Sequence, residues 1–100
     1  LCLEFPKVSW KPDEIMECKA WLLNDSKEDI ENIKAEVYLL FDGKEEKIAE
    51  CEFAKTNAYT NSFGVEFTVK VPNVKSGRFT LIIRSENDES LSEKYELFIA

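Results

Sequence analysis

The stretch Phe63-Gly64-Val65-Glu66-Phe67-Thr68-Val69-Lys70-Val71 decides the fold class. Phe63, Val65, Phe67, Val69 and Val71 share one phase of a two-residue repeat, while Glu66, Thr68 and Lys70 take the other. Alternation of this kind puts one side of a β-strand in a core and the other in water. It predicts a strand over 63–71 with the five apolar residues inside. Downstream, Pro72 to Gly77 turns the chain, and Phe79, Leu81 and Ile83 form the buried phase of the next strand. Glu86-Asn87-Asp88-Glu89-Ser90 reads as an acidic hairpin loop, after which Tyr95, Leu97 and Ile99 mark the inward phase of a last strand. Upstream, Met16, Cys18, Ala20 and Leu22 alternate with Glu17, Lys19 and Trp21, and Asn24-Asp25-Ser26 stops that strand.

Between these lies an ambiguous segment. Ile30, Ile33, Val37, Leu40 and Phe41 fit helical spacing, and Ser26 with Asp29 resembles a capping box. Ile33, Ala35, Val37, Leu39 and Phe41 fit a period of two, and β-branched and aromatic residues crowd the second half. The second pattern predicts a loop to Asn32 and a strand over 33–41. Asp42-Gly43 is a strong hairpin signal leading to a strand over 46–53, with Ala49, Cys51 and Phe53 on one phase and a polar loop over 55–61. At the start, Leu3 to Phe5 and Val8 to Trp10 form one strand broken at Pro6, a break permitted at a sheet edge. About seven antiparallel strands at regular spacing predict an all-β, immunoglobulin-like sandwich. The antibody subtype is excluded, because the second-last strand carries no cysteine to pair with Cys18.

One hundred residues fit a single domain, and 44% hydrophobic with 33% charged residues is the balance of a folded chain. Opening on Leu1, the chain is expected to be a piece of something longer. Its apolar runs fall far short of a membrane span, and a net charge of −7 argues against nucleic acid and anionic membrane as partners. The absence of histidine removes every Ser-His-Asp, Cys-His and His-metal arrangement. Cys2, Cys18 and Cys51 form neither a disulfide framework nor a CxxC motif, so they read as small hydrophobes. They lean toward a reducing compartment, with cytoplasmic favoured over periplasmic or secreted. No cofactor is expected.

Several segments together are similar to a known family. They are Ala20-Trp21-Leu22-Leu23-Asn24-Asp25-Ser26, the strand Ala35-Glu36-Val37-Tyr38-Leu39-Leu40-Phe41 with its Asp42-Gly43-Lys44 turn, and Pro72…Gly77-Arg78-Phe79-Thr80-Leu81. They resemble the immunoglobulin-like accessory domains of glycoside hydrolase family 2, the β-galactosidase and β-mannosidase group. The resemblance covers nearly the whole chain, and the W-L-x-N-D-S strand end is its most specific element. It implies a non-catalytic domain flanking a TIM-barrel whose catalytic glutamates have no counterpart here. The expected partners are neighbouring domains of a parent chain. The alternatives are an independent carbohydrate-binding module and an adhesion or interaction sandwich of a surface protein.

No candidate catalytic or metal-ligating residue emerges. Glu45-Glu46 and Asp88-Glu89 are sequence neighbours on hairpin loops, unlike two acids facing across a cleft. Asp25, Glu28 and Asp29 match no EF-hand spacing. Asn24-Asp25-Ser26 is formally a glycosylation sequon, but Asn at a strand end is expected to bond the turn backbone. Among the aromatics, Phe63, Phe67, Phe79 and Tyr95 take core phases, whereas Trp10, Trp21 and Tyr59 fall on solvent phases or loops. Tyr38, Leu40, Ile82 and Phe98 fall on the outward phase of strands expected to share one sheet. Clustered, they would form an apolar surface that docks against a neighbouring domain.

Overall fold

A computed structural model describes residues 1–86 and 89–100. Asn87 and Asp88, part of the expected acidic loop, lie outside the described residues. Among the described residues eight strands follow one another: β1 (Cys2–Glu4), β2 (Ser9–Trp10), β3 (Ile15–Leu23), β4 (Ile30–Phe41), β5 (Lys44–Thr56), β6 (Asn61–Lys70), β7 (Gly77–Ser85) and β8 (Glu93–Ile99). A short 3-10 turn, Glu89–Leu91, precedes β8. The strands form two sheets, β1-β3-β6 and β2-β8-β7-β4-β5, which pack as a β-sandwich. The four-residue stretch around Pro6 carries the chain from one sheet to the other, because proline donates nothing to a ladder.

That crossing makes eight strands of the expected seven and adds one parallel pair. β2 runs parallel to β8, with Trp10 opposite Ile99, while the remaining pairs are antiparallel. The switch of sheets also turns Trp10 inward. Expected on a solvent phase, its ring is only 4% exposed, and Nε1 donates to the Lys7 carbonyl at 2.9 Å. β4 begins at Ile30 instead of Ile33, because Ile30 and Glu31 pair with Thr56 and Lys55 of the longer β5, and Asn32 inside it takes a left-handed φ of 55°, a conformation asparagine tolerates. At the β4–β5 hairpin, Asp42 and Gly43 both have positive φ (52° and 74°), the two-residue turn whose twist matches the flanking strands.

Between the sheets, Met16, Cys18, Ala20 and Leu22 of β3 meet Ala35 and Val37 of β4, Phe79, Leu81 and Ile83 of β7 and Leu97 of β8, all essentially inaccessible. Each large side chain removed from water this way contributes about 1.5–3 kcal/mol.

β6 departs from its even alternation. Trp21 lies opposite Phe63 and Ala20 opposite Val65, so Gly64 is an extra residue with no partner on β3. A bulge of this kind flips the phase on one side of it. Phe63, expected inside, is therefore 50% exposed. Val65 and Phe67 point inward but stay half-buried, because β6 is the outermost strand of its sheet. Tyr95 is half-buried too. Its hydroxyl accepts from the Leu3 N–H at 3.1 Å, and its ring meets Phe5 edge-on at 5.5 Å.

Candidate functional site

The outer face of the five-stranded sheet holds the four residues expected to form an apolar surface. Tyr38 lies directly opposite Ile82, and Leu40 opposite Thr80. Phe98 lies across the sheet, opposite Arg78. The structure thus gathers Tyr38, Leu40 and Ile82 and sets Phe98 apart. Ile82 points outward as expected but is only 5% exposed, since it sits mid-sheet between Tyr38 and Lys94, whose long side chains flank it.

Charged groups occupy the rest of this face. The Arg84 guanidinium stacks 4.2 Å from the Tyr38 ring centre and pairs with Glu45. Arg78 lies 5.6 Å from the Phe98 ring and pairs with Glu96 at 3.2 Å. Lys47 bridges Glu36 and Glu50 at 3.1 and 2.9 Å. Lys47 and the Tyr38 hydroxyl, which donates to Glu36 at 3.0 Å, hold the Glu36 carboxyl below its usual range. The face is a web of ion pairs over a covered isoleucine.

The three-stranded sheet presents a different outer face. Cys2, Trp21 and Phe63 lie opposite one another across β1, β3 and β6, and Leu23, 44% exposed, continues the row along β3. The Trp21 and Phe63 rings meet edge-to-face at 5.3 Å and 73°, and Trp21 Nε1 donates to Glu4 at 3.1 Å. Rings crossed at that angle make a ridge, whereas sugar stacking needs a flat floor. A shallow groove of about 310 Å³ runs beside the indole, lined by Cys2, Glu4, Trp21, Leu23 and Asn61. Tyr59 is exposed, as expected, in the loop before β6, and Trp21 and Tyr38 stand on opposite sheets.

This ridge depends on Gly64. A Cβ there would lie 2.7 Å from Cys51 Sγ and Phe53 Cζ and 3.1 Å from the Ala20 carbonyl. Only glycine lets β5 approach so closely, and the bulge at that point turns Phe63 out to meet Trp21. An isolated glycine in a strand pattern is the sequence signal for such a bulge, and it marks the ridge that the even alternation hid.

The Asn24 side chain is 1% exposed, and its Nδ2 donates to the carbonyls of Glu28, Thr56 and Asn57 at 2.8–3.2 Å. Its Oδ1 accepts from the Ser26 N–H and Oγ at 3.0 and 2.7 Å. The asparagine and serine of the W-L-x-N-D-S strand end therefore tie the β3–β4 loop to the end of β5. In the folded chain that amide nitrogen is enclosed, so the sequon offers no acceptor. Asp29, weighed as a metal ligand, accepts from the Ala58 N–H at 2.8 Å and pairs with Lys55 at 3.3 Å, which together lower its pKa. Glu45 pairs with Arg84. Among the described residues no group of three metal-ligating side chains comes together, and the three thiols are unpaired.

No protein-family model matches the sequence, and no curated protein does. Among solved structures, the fold is similar to that of Spo0M, a sporulation control protein from Bacillus subtilis, with a TM-score of 0.56 at 13% identity. The match covers 98% of this chain and 47% of the Spo0M chain. At that identity the likeness establishes the fold alone, and this chain spans about half the length of that one.

Proposed function

We propose that the chain is a non-catalytic sandwich module that works by contact, holding a neighbouring domain of a larger parent in place. The parent class proposed is a multidomain glycoside hydrolase of the β-galactosidase and β-mannosidase group, and that part rests on the sequence resemblance alone. The observation carrying the contact role is the Trp21–Phe63–Leu23 ridge. Polar residues normally cover the outer face of a sandwich sheet, and a clustered apolar exception commonly marks a contact surface. Here the backbone bulges at Gly64 to expose Phe63, and Glu4 fixes the indole, so the ridge is ordered before any partner arrives. The ion-paired face of the five-stranded sheet suits solvent better, and the proposed docking surface is therefore the ridge.

The test is a Leu23→Ser, Phe63→Ser double substitution made in this chain and in the longer parent. In this chain both side chains are half in water, so each change should stay near ~0.5 kcal/mol. Docking through the ridge predicts that the parent loses domain association or heat resistance. A parent indifferent to both substitutions contradicts the proposal. The groove beside Trp21 favours a second reading, a sugar held against the indole by Glu4 and Asn61. It predicts a change in Trp21 fluorescence when galactosides or mannosides are titrated into this chain.

A further inference from the structure

β6 is built like an inner strand and placed at an edge. Among the described residues its only ladder is with β3. Of the other edge strands, β1 and β2 are only three and two residues long, and β5 is guarded in further ways: Lys44, Glu45, Glu46, Lys47, Glu50, Glu52 and Lys55 crowd it, and Ile48 is an extra residue in its pairing with β4. β6 beyond Gly64 has no proline, no bulge and two charges, Glu66 and Lys70. β5 closes against β6 at Gly64, which leaves residues 65–71 as the open part of the edge.

The direction of the backbone there follows from one bond. The Val71 N–H donates to the Glu14 carbonyl at 2.9 Å, on the β3 side. Backbone polar groups alternate sides along a strand, so those of Glu66, Thr68 and Lys70 face away from β3. The side chains of the same three residues lie on the exposed outer face, and those of Phe67 and Val69 point to the core.

We infer that β6 pairs antiparallel with β6 of a second copy of this chain, on a two-fold axis through Thr68. That register is self-complementary at every position. Thr68 meets Thr68, and Glu66 meets Lys70 on both sides of the axis, each as a hydrogen-bonded pair exchanging two backbone bonds. Phe67 meets Val69 in the closer, non-hydrogen-bonded positions, an aromatic against a β-branched residue, and the exposed part of Phe67 is covered. Opposite charges, Thr–Thr and aromatic–β-branched pairs are the favourable cross-strand combinations. Lys70 is free to turn to the new partner, since its own-chain contact is a 3.7 Å pair with Asp13 while the side chain is 70% exposed. Closed two-fold pairing of one patch with itself is the commonest route to a dimer. It would join two three-stranded sheets into one of six strands, leaving the Trp21–Phe63 ridge on its outer face.

The test is analytical ultracentrifugation of the 100-residue chain over a wide concentration series, with thermal unfolding of each variant as the folding control. The inference predicts a monomer–dimer equilibrium. Lys70→Glu sets Glu against Glu at both symmetric positions and should weaken it about tenfold. Glu66→Lys alone should do the same through two Lys–Lys pairs, and combining the two substitutions should restore the dimer. Thr68→Cys should cross-link on oxidation faster than Glu66→Cys, because a hydrogen-bonded pair has Cα atoms about 5.5 Å apart, within disulfide reach. A chain monomeric at every concentration, a dimer indifferent to Lys70→Glu, or a double variant as weak as the singles would overturn the inference.

Discussion

Gly64→Ala isolates the device on which the ridge depends. The added methyl would lie 2.7 Å from Cys51 Sγ, 2.7 Å from Phe53 Cζ and 3.1 Å from the Ala20 carbonyl. Cys51 can turn its sulfur aside. Phe53, 4% exposed in the core, and the β3 backbone cannot move as cheaply. Forcing a methyl into a packed site costs roughly 1–3 kcal/mol. Gly64 does not have positive φ, so alanine meets no backbone strain there and recovers about 0.4–1 kcal/mol from a stiffer unfolded chain. The net expectation is a loss of about 1–2 kcal/mol, or a melting temperature lower by roughly 5–15 °C for a domain of this size. Urea denaturation followed by tryptophan fluorescence measures it. Adding Cys51→Ala should return part of the loss, a coupling of about 0.5 kcal/mol or more between touching residues. A Gly64→Ala variant as stable as the parent chain, or more stable, would refute the close-approach argument.

Three further outcomes are expected. Asn24→Ala strips three carbonyls and the Ser26 turn of their partner and should cost about 2–4 kcal/mol, seen in the same denaturation assay; a loss within experimental scatter would show that water replaces the amide. Burial raises the Cys18 thiol pKa from 9.0 to about 11, so the unfolded chain ionises first as pH rises, and stability present below pH 9 is lost between pH 9 and 11. The Cys18→Ala variant should lose less over that window, and identical pH profiles would contradict the assignment. Leu81→Ala should cost about 2–5 kcal/mol and Phe67→Ala about half the 3–5 kcal/mol of a fully buried ring, because Phe67 stands at an open edge; equal losses would place Phe67 wholly inside.

The parts of the fold governed by local chemistry were legible in the sequence. The alternation of β3, the Asp42-Gly43 turn and the break at Pro6 each follow from side-chain phase or a residue's own dihedral preference. What escaped depends on contacts distant in the chain. Trp10 is buried because β2 crosses to pair with β8, and Ile82 is covered because its cross-strand neighbours are long, neither of which a two-residue period encodes. Phe63 escaped because one glycine resets the phase, and the reason for that glycine lies on β5. In the W-L-x-N-D-S element the bonding of Asn24 to its own turn was legible, but its reach to the Thr56 and Asn57 carbonyls was not. Its asparagine is a buried strut, which explains the residue physically and leaves the identity of the parent to the resemblance.

Whether the Trp21–Phe63–Leu23 ridge is a contact surface can be read by hydroxyl-radical footprinting. Oxidation rates of individual side chains would be compared between this 100-residue chain and the longer parent, both folded. Docking through the ridge should strongly protect Trp21, Leu23 and Phe63 in the parent, while Tyr38 and Leu40 on the opposite sheet react alike in both. Equal rates at the ridge in the two proteins, or protection confined to the five-stranded sheet, would contradict it.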